Sequence, residues 1–238
     1  MSWEGRNLFN RRFNLGLNQE DAYVSGYFGV KFLFSSQVAK AIKEAADLTA
    51  HINKTWDENT LSKMFSSLTE AVTALPGGTL NVAEIVGQGG VKWGAPTSID
   101  FGDTVTLRMR ELSNMPVRKA VTGWTNLVRH TNTGASPLRN EGGINGDYTK
   151  SNFSADLLYW TLKPNARDVE FACIMKGVYT TTDLSSQIGT NLTTVDGLAF
   201  DVNLHVDTLY WDSVVKAQAQ AEVERFHAQG VGDYFGHV

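Results

Sequence analysis

Residues 198–212 read LAFDVNLHVDTLYWD, and the alternation within this stretch decides the fold class. Asp201, Asn203, His205 and Asp207 fall at every second position, with Phe200, Val202, Leu204 and Val206 between them. Successive side chains of an extended strand point to opposite faces, so the stretch predicts a strand with one apolar and one polar face. The polar row holds two carboxylates, an amide and an imidazole, which raises the choice between a metal or catalytic site and the wet side of a sheet. Metal ligands must converge on one point, whereas residues at i, i+2 and i+4 of a strand stand in a line about 6–7 Å apart. The chain has no HxH pair and no HExxH, and its five histidines (51, 130, 205, 227 and 237) are scattered. The row reads as a solvated sheet face.

A second stretch, SIDFGDTVTLRMREL at residues 98–112, alternates in the same way. Ile99, Phe101, Val105, Leu107 and Met109 fall on one side; Asp100, Thr104, Thr106, Arg108 and Arg110 fall on the other. In an acidic chain, Arg108 and Arg110 are expected to pair with carboxylates of a neighbouring strand or subunit. Further strands are expected around Phe28, Val30, Phe32 and Phe34, in FSADLLYWTLK, in DVEFACIMKGVYTTT, and either side of the Pro-Gly-Gly turn in TALPGGTLNVAEIVG, where β character begins at Thr73. The Gly-rich segment 87–96, GQGGVKWGAP, reads as a hairpin tip or extended loop, and residues 131–150 as a polar loop.

Four helices are expected. Val38, Ala41, Ile42, Ala45, Leu48 and Ile52 form an apolar stripe over residues 36–53. Thr55 and Glu58 form a capping-box pattern ahead of Leu61, Met64, Phe65 and Leu68. Asn114 and Pro116 open a third helix with Val117, Val121, Trp124, Leu127 and Val128 along one side. Asp212 or Ser213 caps a fourth, with Val215, Ala219, Val223 and Phe226 on one face and Gly230 as its stop. Residues 1–20 scatter Trp3, Phe9 and Phe13 among Asn, Arg and Gly, a pattern suited to an arm that docks on something larger.

The chain has 238 residues, 42% hydrophobic and 19% charged, with a formal net charge of −4, the composition of an ordinary globular chain that does not grip nucleic acid electrostatically. Cys173 is the only cysteine, which rules out an internal disulfide and predicts a reducing compartment. It sits in an apolar strand as a small buried hydrophobe. The start of the sequence has no signal-peptide pattern and no segment is apolar for long enough to span a bilayer, so the expectation is a soluble protein made in a cytoplasm, with no membrane partner. GQGGVKWG lacks the spacing of a phosphate loop, and GxSxG is absent. No catalytic constellation, cofactor site or metal site emerges, and a structural or binding role is favoured over an enzyme.

The order of elements carries more information than any one motif. The ALPGG turn (Ala74 to Gly78), the DTVTLRM strand, the helix with Trp124 near its middle, the KGVYTT strand end (Lys176 to Thr181) and the closing strand ending on Tyr210-Trp211-Asp212 follow one another in a series. Over residues 21–34 and 72–212 this series resembles the tail tube proteins of contractile-tailed bacteriophages, whose fold is shared with the type VI secretion tube protein. The resemblance implies a mainly β protein with flanking helices, a β-sandwich or small barrel that assembles into homohexameric rings. Stacked rings form the tube that conducts DNA during genome ejection inside a contractile sheath.

The same resemblance implies a virion tail protein assembled in the host bacterial cytoplasm. Its partners would be its own copies, the tail sheath protein, baseplate and neck proteins, and double-stranded DNA in transient, non-specific passage. It makes Gln88, Gly89, Gly90, Val91, Lys92 and Trp93 the inter-ring loop. Arg108, Arg110, Asp201, Asn203, His205 and Asp207 become the lumen wall or a subunit contact, and Trp3, Phe9 and Phe13 the anchors of the docking arm. The domain plan is an arm at 1–20, a tube domain at 21–212 with a helical insertion at about 36–70, and a C-terminal helix and tail at 213–238. The arm, insertion and tail exceed a minimal tube subunit, which leaves open a tube-end protein, baseplate-proximal initiator or neck-proximal terminator. A monomeric β-sandwich that binds glycans through Trp93, Trp160 and the loop at 131–150 is the reading from a different class.

Overall fold

The computed structural model describes residues 27–45, 58–73, 75–86, 92–111, 115–129, 150–182 and 199–228. The docking arm, Gln88 to Val91, the loop at 131–149, Thr55, Asn114 and Gly230 lie outside the described residues. Among the described residues nine strands and four α-helices follow in the order β1 (Phe28–Leu33), α1 (Ser36–Ala45), α2 (Glu58–Leu68), β2 (Thr69–Thr73), β3 (Gly78–Val86), β4 (Lys92–Phe101), β5 (Thr104–Arg110), α3 (Pro116–Val128), β6 (Ala155–Leu162), β7 (Val169–Thr180), β8 (Ala199–His205), β9 (Thr208–Tyr210) and α4 (Ser213–Ala228). Seven strands form one sheet in the order β1-β6-β7-β8-β5-β2, with β9 paired to β7, and β3 and β4 form a separate two-stranded sheet. The fold is mainly β with flanking helices, and each strand pair with a defined register, β2-β5, β3-β4, β5-β8, β7-β8 and β7-β9, is antiparallel.

The chain divides into two compact units. One comprises Val30–Leu158 and Ile174–Tyr210, the other Met1–Gly29, Tyr159–Cys173 and Trp211–Val238. In the larger unit the alternation of β5 and β8 is realised directly: Val105, Leu107, Met109, Val202 and Leu204 are fully buried, while Thr104, Arg108, Arg110, Asp201 and Asn203 are exposed. Phe32, Phe34, Phe65 and Trp124 form an aromatic cluster with ring centroids 5.1–6.1 Å apart. The Trp124 indole N–H donates to the Phe153 carbonyl at 2.6 Å, so its one polar atom is satisfied inside the core. Val38 and Ile42 of α1 and Leu61 and Phe65 of α2 are buried as their stripes predict, and the Ser62 hydroxyl donates to the Phe32 carbonyl.

Four expectations about the strands are corrected. The strand expected across 98–112 is two strands, because Gly102 and Asp103 leave the ladder: Gly102 N–H donates to Gly77 O at 3.0 Å, and Asp103 O accepts from Val206 N–H at 2.6 Å. Ile99 and Phe101 therefore belong to the β3-β4 sheet, apart from Val105, Leu107 and Met109. The strand expected across 198–211 likewise breaks after His205, where Asp207 N–H turns to the Lys176 carbonyl at 3.0 Å and β9 pairs with β7. Residues 92–96, expected in a loop, are paired in β4, because the alternation of Lys92 to Phe101 continues through the glycine at 94. β character begins at Thr69, where α2 passes straight into β2, four residues ahead of Thr73.

The smaller unit is organised by α4. Asp212 Oδ1 accepts from Val215 N–H at 2.7 Å, which makes Asp212 the N-cap, and Val215, Ala219 and Val223 are buried. Phe226 departs from the expected stripe and is 39% exposed. Gln220 fixes the helix to the β6-β7 turn from both ends of its amide, accepting from Val169 N–H at 2.9 Å and donating to Arg167 O at 3.1 Å. At β1, a methyl group on Gly29 would overlap the Trp160 ring, so glycine is what lets that indole lie on the strand.

Helix α3 lacks a conventional cap. Met115 at the N-cap position adopts φ 55°, in the left-handed region, and makes no side-chain cap hydrogen bond. Glu111 does the work from the end of β5: Oε1 accepts from Val117 N–H at 3.1 Å and Oε2 from Arg118 N–H at 2.7 Å, a carboxylate at the positive end of the helix. Replacing Glu111 with Ala leaves those donors without their partner. Denaturant unfolding is expected to show a loss of about 1–2 kcal/mol, the usual range for a lost cap; an unchanged midpoint would show that the carboxylate contributes nothing.

Candidate functional site

The exposed face of β2, β5 and β8 gathers the candidate residues of both alternating strands. Pairing of β5 with β8 sets Thr104 opposite His205, Thr106 opposite Asn203 and Arg108 opposite Asp201. The Thr106 hydroxyl donates to Asn203 Oδ1 at 2.7 Å, which closes the middle of the row. On the other flank β2 brings Glu70, whose Oε1 lies 2.6 Å from Arg110 Nη2 and whose Oε2 lies 4.0 Å from Arg108 Nε. Both arginines thus meet a carboxylate of the neighbouring strand. One acid on an edge strand serves two cations.

The far end of the row is a denser cluster. Asp207 accepts from the Lys150 ammonium and lies 3.2 Å from His205 Nε2, while His205 Nδ1 lies 3.4 Å from Asp103 Oδ2. The Tyr179 ring lies 4.9 Å from the His205 ring, and Lys150 Nζ stands 5.0 Å above Tyr179. Lys176 holds its ammonium 5.9 Å from the centre of the Tyr210 ring. Exposed ion pairs such as these are worth only about 0–1 kcal/mol each. They set the charge presented to solvent, while the buried aliphatic side of the same strands holds the fold.

The structure brings together Arg108, Arg110, Asp201, Asn203, His205 and Asp207 on one face, with Asp207 at the corner between β8 and β9. Lys92 and Trp93 stand elsewhere, at the start of β4 opposite Val86 and Ile85. Three participants were missed from sequence: Glu70, Lys150 and Asp103. Glu70 sits in TEAVT, whose β-branched Thr69, Val72 and Thr73 are the only local sign of a strand after a helical run. Lys150 and Asp103 reach the cluster through long-range contacts that no local pattern encodes.

The chemistry available here is limited. Among the described residues, no group of three or more His, Cys, Asp or Glu side chains is placed to hold a metal ion. Cys173 is fully buried, and burial pushes its thiol up to about 12, so it is inert as a nucleophile near neutral pH. No helix among the described residues is long and apolar enough to cross a membrane. The face is a patterned surface of paired charges and neutral hydroxyl and amide groups.

The hairpin of β3 and β4 is the second feature of the unit. Gly78, Asn81 to Glu84, Lys92, Gly94 and Pro96 to Ser98 are all exposed, including Val82 at 57%. The ladder carries a bulge between Asn81 and Val82, and Glu84 pairs with Lys92 at 2.9 Å. The Asn81 amide donates to Ser98 Oγ at 3.2 Å, and the Thr97 hydroxyl donates to Asn81 O at 3.1 Å. Isolated two-stranded ribbons are marginal in water without a packing partner.

No protein-family model matches the chain, and no curated protein matches it. Among solved structures it is similar to a chain of the sheath/tube terminator of PVC, an extracellular contractile injection system, in the extended state, at 11% identity and a TM-score of 0.48 over 82% of this chain and 99% of that one. It is also similar to a chain of the six-fold symmetrised baseplate of the anti-feeding prophage, at 12% identity and a TM-score of 0.48 over 82% and 99% of the two chains. A chain of the tube-terminating cap of the anti-feeding prophage matches at 11% identity and a TM-score of 0.46 over 83% and 99%.

Gly177 tests how the corner is built. Its φ of 67° is left-handed, and a methyl group there would overlap the Asp207 carboxylate. Gly177→Ala is expected to cost about 1–3 kcal/mol in denaturant unfolding, from backbone strain and displacement of Asp207. A variant as stable as the native protein would show that the corner yields freely.

Proposed function

We propose that the protein is a virion structural protein, the tail tube subunit of a contractile-tailed bacteriophage. Copies join into homohexameric rings, their sheets continue into one another as a barrel, and the rings stack around a lumen through which double-stranded DNA passes during ejection. The exposed face of β2, β5 and β8 is the lumen wall, and the β3-β4 hairpin, with Lys92 and Trp93 at the start of β4 and Gln88 to Val91 in the segment before it, is the contact to the adjacent ring. The function resides in assembly, without catalysis and without a cofactor. The arm with Trp3, Phe9 and Phe13 docks on neighbouring copies; the sheath, baseplate and neck proteins are the remaining partners. The particle forms in the host bacterial cytoplasm and resides in the virion tail.

The observation that carries this reading is the hairpin. A ribbon of nine- and ten-residue strands forms its own sheet, and every described side chain on it is exposed, an arrangement that needs a neighbour to cover it. The ordered series of motifs from ALPGG to the closing Tyr-Trp-Asp supports the family. The two-faced β5-β8 pair supports the wall, because a sheet that lines a wet channel must be apolar behind and polar in front. Helices α1, α2 and α4 are additions to a minimal tube subunit and favour a second reading, a ring at one tube end, which copy number in the particle distinguishes from the repeating subunit.

Negative-stain microscopy of the purified protein tests assembly. Rings or tubes with a central hole are expected as concentration rises. A dispersed monomer at high concentration would contradict both the tube and the tube-end reading.

A further inference from the structure

We propose that Glu70 is the residue that prevents this face from gripping a polyanion. The inference deepens the conduit reading and rests on it for its biological meaning. Among the described residues Arg108 and Arg110 are the two guanidinium groups of the face, with side chains 57% and 62% exposed, and both point to solvent from β5. Left to themselves, two arginines at i and i+2 on one strand face stand about 6–7 Å apart, a spacing that suits successive phosphates of a duplex backbone. Repeated around a ring, such pairs would add many phosphate contacts, and affinity grows steeply with their number. A cargo that must slide would be held.

The geometry removes that grip from one side. Glu70 is 31% exposed, lies on edge strand β2, and sets one carboxylate oxygen 2.6 Å from Arg110 and the other 4.0 Å from Arg108. Asp201 stands opposite Arg108 across the β5-β8 ladder. An exposed pair of this kind contributes little to folding, so stability is a weak reason for an acid at this position. Its larger effect is electrostatic: a phosphate approaching either guanidinium meets a carboxylate already there. Lys150 is held in the same way by Asp207 at the other end of the face.

The test uses the full-length protein, dispersed by dilution, and a fluorescent 30-base-pair duplex of arbitrary sequence. Native protein is expected to bind the duplex weakly. Glu70→Gln keeps the side-chain shape, frees Arg110 and leaves Arg108 with Asp201 alone, and is expected to bind with a salt slope steeper by about 1–2, so that the affinity gained at 50 mM salt falls about four- to tenfold by 200 mM. Glu70→Thr, a favourable strand residue at an edge, carries the same expectation and serves if the Gln variant folds poorly. The triple variant Glu70→Gln/Arg108→Gln/Arg110→Gln is expected to return to the native level. Glu70 variants that bind no better than native protein, or a triple variant that still binds like Glu70→Gln, would overturn the proposal. Failure of the ring reading would show instead as monomers in the microscope, leaving the duplex measurement unchanged.

Discussion

Pairing of β5 with β8 in one register, Thr104 against His205 through Arg110 against Ala199, is the constraint on which the rest of the structure depends. Strand side chains have a period of two, so a slip of one residue would turn Val105, Leu107 and Met109 outward and bury Arg108 and Arg110. Burying a single large aliphatic side chain is worth about 1.5–3 kcal/mol, and an unpaired buried guanidinium costs more than that. The register is therefore fixed by the apolar side, and the polar side is carried into place with it. Arg108 reaches Glu70, Thr106 reaches Asn203, and His205 comes beside Tyr179 and Asp207 as consequences of that register.

Much of this was legible in the sequence because it is periodic. The alternation in residues 104–110 and 199–205 gave the strands and their faces, and the 3.6-residue stripes gave α1, α2, α3 and the buried side of α4. The interruptions were less legible. Gly102-Asp103 and Val206-Asp207 break because their backbone groups find partners at Gly77, Lys176 and each other, and the sequence marks the breaks only faintly, by Asp103 on the apolar side of its run and by Thr208 and Leu209 exchanging sides. Such partners are far away in sequence, so a local pattern cannot announce them. The cap of α3 is similar: Asn114 and Pro116 look like a helix start, yet the acceptor is Glu111, placed there by the end of β5.

The candidate face was legible as a row and illegible as a network. Asp201, Asn203, His205 and Asp207 are evenly spaced in the chain, but Glu70, Asp103 and Lys150 join them only through tertiary structure. Those additions change the meaning of the face. Arginines alone on a sheet suggest phosphate binding, whereas arginines answered by a shared carboxylate suggest a surface tuned to hold nothing. The proposed conduit needs that second property, and paired charges, hydroxyls and amides would provide it without any special fold.

In the proposed assembly this face looks into a lumen. The most direct measurement is thiol labelling at Thr104→Cys with a bulky polyethylene-glycol maleimide, comparing dispersed subunits with assembled particles. The native Cys173 is silent, being fully buried with its thiol pushed up to about 12. If the face lines a lumen, dispersed subunits label readily and assembled particles are strongly protected, with reactivity restored on disassembly. Equal labelling in both states would place the face on the outside and contradict it.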